Sequence, residues 1–284
     1  MNPPLRAGVM GWPISHSLSP VLHGHWLKRY GIDGTYEAYA VRPEELADAL
    51  ALLRAEKRRG TNLTVPHKEA AMSLVDEIDD TARRIGAVNT LVLRESGILS
   101  ATNTDAFGLV ENIRGIEPGA VANKFNGRPV VILGAGGAAR AALVGLADLG
   151  VRDIRIVNRT RSRAEALIGI VSDMNVSVVA IAEDDRAAAL PEAGLLVNTT
   201  TLGMEGQPPL DLDLTGLPRD AIVNDIVYAP LETGLLASAR ERGNPVVDGL
   251  GMLLHQARAG FREWFGVDPE VDDALRAAVL AARR

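Results

Sequence analysis

The sequence has no cysteine, which excludes disulfide bonds, thiolate zinc sites and a cysteine nucleophile. It also has no excess of positive charge, since 30 Lys and Arg residues against 36 Asp and Glu residues give a formal net charge of −6. That balance argues against a general nucleic-acid binder, although a local basic patch is compatible with it. The sequence contains no run of about 18 apolar residues and no signal-peptide pattern at its start. We therefore expect a soluble, cytoplasmic protein without a membrane or nucleic-acid partner.

The chain has 284 residues, which is close to the length of two domains of about 150 residues each. Its composition of 47% hydrophobic and 23% charged residues is typical of a globular protein and excludes a disordered or fibrous chain. The fold class is therefore predicted from the order of short apolar runs and helical patterns.

The first part of the sequence mixes predicted strands and helices. Ser19 as N-cap and Pro20 at the first helical position predict a helix that stops at Gly31. Leucines at helical spacing predict a second helix, which ends before Gly60. The strand-like runs are residues 7–10, 36–41, 62–65, 87–93 and 98–101.

From residue 129 onward the alternation becomes regular. Residues 130–133 predict a buried strand, which leads through a glycine loop into an alanine-rich helix that stops at Gly150. Further short strands are predicted over residues 154–157, 177–180, 195–198, 221–224 and 245–247. Strand–helix alternation of this kind predicts a parallel sheet with right-handed crossovers. After Gly249 the pattern is helical again, and we expect these helices to pack back on the first domain.

The glycine loop is typical of a dinucleotide-binding site. Gly134 allows a tight turn, Gly136 lets the backbone approach a pyrophosphate, and Ala139 is small enough to keep helix and strand close. The helix N-terminus supplies amides and partial positive charge for phosphates. A purely structural turn can use the same glycines, but the strand–loop–helix setting favours a dinucleotide. The expected contacts are Gly134, Ala135, Gly136, Gly137 and Ala138.

The residues after the next strand indicate which dinucleotide binds. An NAD site usually places an acidic residue there for the ribose 2′-hydroxyl, but this chain has Asn158 and then three arginines within five residues. Guanidinium groups suit a 2′-phosphate in charge and geometry. A solvated basic helix start is the alternative, although the helix dipole disfavours cations at that end. We expect NADP, with Arg159 and Arg163 as the main contacts and Thr160 assisting.

Polar side chains also cluster at predicted strand ends in the first half. Ser17 and Ser19, with the amides of a helix start, would make a small anion site, although Ser19 alone is explained as an N-cap. Lys68 follows a strand, where a lone lysine is usually a solvated surface charge. Asn89 lies in an otherwise apolar strand and must find a partner or cost stability. Asp105 precedes a helix, and could be another N-cap.

Taken in order, these motifs resemble the shikimate dehydrogenase family along essentially the whole chain. In the first half the matching segments are SHSLSP (15–20), NLTVPHK (62–68), GAVNT (86–90) and NTDAFG (103–108). In the second half they are GAGGA (134–138), NRT (158–160), NTTTLGM (198–204), DIVYAP (225–230) and DGLGMLLHQ (248–256). So many short motifs in one order argue strongly against coincidence.

The resemblance implies an α/β protein of two domains. Residues 1–108 would form an N-terminal α/β substrate-binding and catalytic domain, residues 109–250 a Rossmann-type NADP-binding domain, and residues 251–284 helices that return to the substrate domain. The implied enzyme is an oxidoreductase that reduces 3-dehydroshikimate reversibly to shikimate with NADPH, on the route to chorismate and the aromatic amino acids.

The resemblance also implies a role for individual residues. Ser17 and Ser19 would hold the substrate carboxylate, and Lys68 and Asp105 would form the catalytic pair. The implied substrate contacts are Ser17, Ser19, Thr64, Lys68, Asn89, Asp105, Tyr228 and Gln256. The implied cofactor contacts outside the glycine loop are Asp80, Asn158, Arg159, Thr160, Arg163, Ile226 and Gly249. No metal is expected, since His and carboxylate residues do not cluster at ligand spacing.

Several alternatives stay open at this stage. An ammonium near a ketone oxygen can donate a proton or stabilise the developing charge, and the sequence does not decide which of these Lys68 does. A quinate or dual quinate/shikimate dehydrogenase shares the scaffold, although relatives that favour quinate often carry Thr at the position of Ser19 and an acid near Arg159. A non-catalytic ligand sensor is a third interpretation, against which the retention of Lys68 and Asp105 argues. The degree of activity with quinate or NAD, the amplitude of domain closure, and a monomeric or homodimeric state are not predicted.

Overall fold

A computed structural model describes residues 4–115 and 127–283 of the chain. The chain divides into two compact units. The first unit runs up to Thr104 and includes the residues from Leu254 onward, and the second unit is Asp105–Leu253. The boundaries between the two units lie after Thr104 and Leu253. They were predicted after residues 108 and 250.

The described elements of the first 115 residues alternate irregularly between strand and helix. They are β1 (Leu5–Gly11), α1 (Ser19–Arg29), β2 (Gly34–Ala40), α2 (Leu46–Ala55), β3 (Gly60–Leu63), α3 (His67–Ala70), β4 (Glu77–Ile78), α4 (Asp80–Ile85), β5 (Thr90–Leu93), β6 (Leu99–Thr102) and α5 (Asp105–Arg114).

The elements from residue 127 onward alternate more regularly. They are β7 (Val130–Leu133), α6 (Gly137–Asp148), β8 (Asp153–Asn158), α7 (Arg161–Ile168), β9 (Ser177–Ala182), α8 (Arg186–Ala189), β10 (Leu195–Asn198), β11 (Ile222–Asp225), α9 (Gly234–Glu241), β12 (Val246–Val247), α10 (Leu250–Phe265) and α11 (Asp273–Ala281). None of the helices in the described ranges is long and apolar enough to cross a membrane.

The first unit is built on a mixed sheet with the strand order β2-β1-β3-β5-β6-β4. β1 pairs in parallel with β2 and β3, whereas β5 pairs antiparallel with both β3 and β6. β6 therefore runs in the same direction as β3. All five strands predicted in this part are present, although the strand predicted over residues 87–93 begins only at Thr90. Strand β4 was not predicted, because a strand of two residues is too short to show a periodic pattern.

The predicted N-cap at Ser19 is wrong. The cap position is Leu18, whose φ of −85° and ψ of −8° are already helical, and Leu18 makes no side-chain cap. Helix α1 therefore starts at Ser19, one residue earlier than predicted, and Pro20 is its second residue instead of its first. The Oγ of Ser17 instead accepts a hydrogen bond from the amide of Ser19 at 3.3 Å.

The second unit has a parallel sheet with the order β12-β11-β10-β7-β8-β9, and every neighbouring pair in it is parallel. The central strand β7 is fully buried, as its uninterrupted apolar sequence predicts. From β7 the chain proceeds to β8 and β9 on one side and later to β10, β11 and β12 on the other. The predicted α/β fold with a parallel, Rossmann-type sheet is confirmed.

The C-terminal helices pack on the first unit, as predicted. The indole of Trp264 donates a hydrogen bond to the carbonyl of Leu91 at 3.0 Å, and the indole of Trp26 donates to the carbonyl of Glu270 at 2.9 Å. A Cβ at Gly60 would lie 2.2 Å from Nε1 of Trp264. Only glycine at this position lets the indole lie against the sheet.

One buried histidine belongs to the aromatic cluster beneath these helices. The His23 ring stacks on Tyr36 with a centroid distance of 3.8 Å and an interplanar angle of 7°. Both of its ring nitrogens are buried, without a hydrogen-bond partner among the described residues. Burial lowers the pKa of His23 from 6.5 to about 3. The imidazole is therefore neutral in the folded protein, where it packs as an aromatic ring.

We predict that His23→Phe makes stability less sensitive to acid. Below pH 6.5 the unfolded chain protonates His23 while the folded chain does not, since the folded pKa is about 3. The contribution of the neutral His23 ring to the free energy of unfolding is fully present above pH 6.5. As the pH falls towards 3, this free energy decreases by up to about 1.4 kcal/mol per pH unit. Urea denaturation at pH 7, 6 and 5 measures this slope. The slope should be shallower in His23→Phe and unchanged in the exposed control His16→Gln; equal slopes in His23→Phe and the wild type would contradict the prediction.

Candidate active site

The first unit gathers its polar segments at one edge of the mixed sheet. β1, β3 and β6 run in the same direction, so their carboxyl ends share an edge, and the amino end of the antiparallel β5 lies at that edge as well. The segments that follow β1, β3 and β6, and the segment that precedes β5, contain most of the predicted substrate residues. These are Ser17, Ser19, Thr64, Lys68 and Asn89, with Asp105 just beyond β6 at the start of the second unit.

The side-chain oxygen of Asn89 is held by several hydrogen bonds. Its Oδ1 accepts hydrogen bonds from the backbone amide of Thr104 at 2.9 Å, from the Thr104 hydroxyl at 3.1 Å and from the Thr90 hydroxyl at 3.0 Å. A backbone amide can only donate, which identifies the atom facing Thr104 as oxygen. The Thr104 hydroxyl also lies 3.3 Å from Oε1 of Gln256. Thr104 thus brings two predicted substrate residues, Asn89 and Gln256, together.

Lys68 lies on the short helix α3, directly after the turn that leaves β3. The amide of Thr64 donates to the carbonyl of Met10 at 3.0 Å, and the Lys68 carbonyl accepts from the amide of Val88 at 2.8 Å. The buried His67 ring hydrogen-bonds to the carbonyl of Val41 at 2.8 Å. These contacts anchor both ends of the turn to neighbouring segments, so the backbone that carries Lys68 is held in place.

In the second unit the glycine loop follows β7 at the carboxyl edge of the parallel sheet. Gly134 has a φ of +105°, and a Cβ there would lie 2.8 Å from Oγ1 of Thr199. By contrast, a Cβ at Gly136 or Gly137 would meet no atom within 4 Å. The first glycine is thus needed for the turn itself. The next two leave space directly at the start of α6, where a pyrophosphate fits the helix amides.

The arginine segment begins at the end of β8, the strand next to β7. Arg161 forms an ion pair with Glu165 at 2.9 Å, within the first turns of α7. Arg159 and Arg163 are exposed, and in the described part of the chain neither forms an ion pair with a carboxylate. The three arginines are therefore not equivalent, and the two predicted to contact a 2′-phosphate are those not engaged by a local carboxylate.

Asp225, which was not among the predicted site residues, lies fully buried at the end of β11. Its Oδ1 accepts from Nδ2 of Asn198 at 2.9 Å and from the amide of Val227 at 3.0 Å, and its Oδ2 accepts from the Thr233 hydroxyl at 2.7 Å. Burial raises the pKa of Asp225, while the hydrogen bonds from Thr233, Val227 and Asn198 lower it. A carboxylate directly after an apolar strand was the available signal. Its contacts hold the segment that carries Ile226 and Tyr228.

Two predicted cofactor residues of the second unit meet directly. A Cβ at Gly249 would lie 2.1 Å from the carbonyl oxygen of Ile226, so only glycine allows this approach. The amide of Ile226 in turn donates to the carbonyl of Asn198 at 3.1 Å. The carboxyl ends of β10, β11 and β12 are thereby tied together beside the glycine loop.

The remaining predicted residues are distributed over both units. Asp80 is exposed in the first turn of α4, in the first unit, whereas the glycine loop belongs to the second. Lys68 belongs to the first unit and Asp105 begins the second. That Asp80 contacts the cofactor, and that Lys68 and Asp105 act as a catalytic pair, therefore stay predictions. Among residues 4–115 and 127–283, no group of three or more His, Cys, Asp or Glu side chains could hold a metal ion.

The second unit defines the class of protein. A parallel sheet whose central strand leads through a glycine loop into a helix, at the point where the strand order reverses, is the dinucleotide-binding arrangement. A chain with such a unit and a separate polar sheet edge has the organisation of a dinucleotide-dependent oxidoreductase with its own substrate-binding unit.

Three family models match the chain. They describe a shikimate dehydrogenase substrate binding domain over residues 9–91, shikimate / quinate 5-dehydrogenase over residues 119–202 and a shikimate 5′-dehydrogenase C-terminal domain over residues 249–279. A shikimate dehydrogenase (NADP(+)) of Paramagnetospirillum magneticum is 55% identical over 275 residues, which cover 97% of this chain and 98% of that protein. The chain belongs to the shikimate dehydrogenase family, which confirms the resemblance found in its motifs.

Solved structures support the same assignment. Shikimate 5-dehydrogenase from Thermus thermophilus, in complex with NADP(H) and shikimate, is 36% identical with a TM-score of 0.84, over 98% of this chain and 99% of that chain. Quinate dehydrogenase from Corynebacterium glutamicum, in complex with NAD, is 29% identical with a TM-score of 0.88, over 98% of this chain and 99% of that chain. Both solved structures share the fold of this chain. The 55% identity to the Paramagnetospirillum magneticum shikimate dehydrogenase is much higher than the 29% identity to the quinate dehydrogenase. The quinate alternative is therefore not favoured.

Proposed function

We propose that this chain catalyses the reversible, NADP-dependent reduction of 3-dehydroshikimate to shikimate, a step towards chorismate and the aromatic amino acids. The observation that carries the proposal is the 55% identity, over nearly the full length of both chains, to a relative named shikimate dehydrogenase (NADP(+)). The motifs that carry the family resemblance occur in both units. The cytoplasmic location expected from the sequence stays a prediction.

In this proposal the polar edge of the first unit binds the substrate. Ser17 and Ser19 take its carboxylate at the start of α1, where helix amides favour an anion. Asn89 binds a ring hydroxyl, and its side-chain oxygen is held in place by hydrogen bonds from Thr90 and Thr104. Gln256, next to Thr104, binds a second hydroxyl. Thr64 and Tyr228 complete the set.

Lys68 and Asp105 are assigned to the chemistry. Reduction of a ketone leaves negative charge on its oxygen, and a lysine ammonium at that oxygen stabilises the charge and supplies the proton. The Asp105 carboxylate orients the ammonium and accepts a hydrogen bond from a substrate hydroxyl. Holding both reactants in this geometry removes most of the entropic cost of their encounter.

The second unit is assigned to NADP, whose reduced nicotinamide supplies the hydride when it is bound. The open space at Gly136 and Gly137 fits a pyrophosphate at the start of α6. Arg159 and Arg163 bind the 2′-phosphate, assisted by Asn158 and Thr160. Ile226 and Gly249, which meet at the ends of β11 and β12, contribute to the same site. Asp80 is assigned to the cofactor on the family resemblance alone.

A four-way assay tests the proposed function. Oxidation of shikimate and of quinate is measured with NADP and with NAD, by the absorbance of the reduced cofactor. We expect the pair shikimate and NADP to give the highest kcat/KM. Comparable activity with quinate would support the dual-specificity alternative, and the absence of activity with every pair would support the sensor.

Lys68→Ala should lower kcat by about two to four orders of magnitude, the usual contribution of a general acid, with little change in NADPH affinity. Steady-state kinetics and NADPH fluorescence titration measure the two effects separately. Lys28→Ala, which removes an exposed lysine of α1, is the control and should match the wild type. A Lys68→Ala enzyme with near-normal kcat would exclude Lys68 from the chemistry.

Arg159→Ala should weaken NADPH binding by about ten-fold or more, the effect of one charge-assisted hydrogen bond, and should leave NADH binding almost unchanged. Arg161→Ala is the matched control, because Arg161 lies two residues further on and already pairs with Glu165. Titration of each variant with both cofactors gives the ratio of the two affinities. An equal loss for NADPH and NADH in Arg159→Ala would refute the assignment.

A further inference from the structure

A buried amide at the end of β10 joins the segments that follow two neighbouring strands. Oδ1 of Asn198 accepts hydrogen bonds from the backbone amide of Thr200 at 3.0 Å and from the Thr200 hydroxyl at 2.7 Å. Nδ2 of Asn198 donates to Oδ1 of Asp225 at 2.9 Å and to the carbonyl of Leu202 at 3.3 Å. A backbone amide can only donate and a backbone carbonyl can only accept, so both ends of the Asn198 amide are identified.

Asp225 extends this cluster to the segment after β11 and to helix α9. Its Oδ1 also accepts from the amide of Val227 at 3.0 Å, and its Oδ2 accepts from the hydroxyl of Thr233 at 2.7 Å. The same hydroxyl accepts from the amide of Leu236 and thereby caps α9. Asn198, Asp225 and Thr233 are all buried. Because unpaired polar groups are costly at such a depth, the cluster fixes Val227 relative to the end of β10.

The position of the cluster in the sheet indicates which part of a dinucleotide lies nearest to it. The strand order places β8, which leads into the arginine segment, on one side of β7, and β10 and β11 on the other side. A dinucleotide bound where the strand order reverses has its two mononucleotide halves on opposite sides of that point. With the 2′-phosphate at Arg159 and Arg163 and the pyrophosphate at the glycine loop, the nicotinamide half extends over the ends of β10 and β11.

We propose that Asn198 and Asp225 are positioning residues for the nicotinamide half of the cofactor, because together they hold residues 226–228 in place. The inference rests on the proposed function, in which Ile226 contributes to the NADP site. The amide of Ile226 donates to the carbonyl of Asn198 at 3.1 Å, so the backbone and the side chain of Asn198 anchor the same segment. Both side chains are fully buried and act on cofactor affinity through that segment.

The test reverses the electrostatics of the pair. Asn198→Asp keeps the shape of the side chain but places a second carboxylate against Asp225, and the two like charges repel. This variant should bind both NADPH and NADH more weakly, by about ten-fold or more. Adenosine 2′,5′-bisphosphate, which carries the 2′-phosphate but no nicotinamide, should bind with unchanged affinity. The titrations are made at about pH 9, because two adjacent carboxylates share a proton at lower pH.

Two further variants provide the comparison. Asn175→Asp makes the same substitution at an exposed residue just before β9, at the amino edge of the sheet, and should match the wild type with all three ligands. Arg159→Ala should show the opposite pattern, because it weakens NADPH and adenosine 2′,5′-bisphosphate but not NADH. If Asn198→Asp weakens all three ligands equally, or none of them, the assignment to the nicotinamide half is wrong.

A double-mutant cycle tests whether the two residues act together. Asp225→Asn removes the original carboxylate and supplies an amide, so the two substitutions combined restore one carboxylate beside one amide. The double variant should bind NADPH and NADH at least about five-fold more tightly than Asn198→Asp alone, whereas Asp225→Asn by itself should not tighten binding. Additive effects of the two substitutions would overturn the coupling.

Thermal unfolding examines the same pair without a ligand. Asp225→Asn should raise the melting temperature of Asn198→Asp by more than it changes that of the wild type, and equal changes would contradict the contact. If the wild type binds neither NADPH nor NADH, the proposed function and the cofactor role of the pair both fail, while the melting temperatures still decide whether the contact exists.

A milder variant serves if Asn198→Asp does not fold. Thr233→Val removes one hydrogen bond to Asp225 and should weaken NADPH and NADH equally, by about two- to five-fold, without affecting adenosine 2′,5′-bisphosphate. Thr233→Ser keeps the hydroxyl and should restore both affinities. Unchanged affinities in Thr233→Val, or no recovery in Thr233→Ser, would overturn the proposal.

Discussion

The direction of the strands is the constraint on which both sites depend. Strands that run in parallel place their carboxyl ends at one edge of a sheet, so loops distant in sequence meet there. In the second unit this brings the glycine loop, the arginine segment and the ends of β10, β11 and β12 to one edge. In the first unit β6 runs with β1 and β3 because two antiparallel pairings restore the direction.

Buried polar groups give each edge its fixed geometry. Asn89 in the first unit accepts hydrogen bonds from Thr90 and Thr104, and Asp225 in the second accepts them from Asn198, Val227 and Thr233. An unsatisfied acceptor at such a depth would cost about 1–3 kcal/mol, so the donors and the segments that carry them are held together. The predicted ligand-binding residues lie on or beside these segments, which makes the two clusters the structural support of the proposed sites.

Much of the fold could be predicted from local pattern. The apolar strand over residues 130–133, the glycine loop after it and the alanine-rich helix that follows were all predicted. Each of these has a local physical cause. The helix start at Ser19 was misplaced by one residue, because Leu18 adopts helical angles that no residue preference indicates. The strand β4 has too few residues to show a period, and its pairing with β6 depends on the rest of the sheet.

The sequence by itself determined the family, the two-part α/β organisation and the residue types at each site, because these are set by local periodicity and by short motifs. Only the tertiary structure decided which of these residues meet. It distinguished Arg161, which pairs with Glu165, from Arg159 and Arg163, and it showed that the oxygen of Asn89 accepts a hydrogen bond from the backbone amide of Thr104. It also revealed Asp225 as a buried support of the segment that carries Ile226 and Tyr228. Such roles depend on partners remote in the chain, and the position of those partners is a property of packing that no local pattern contains.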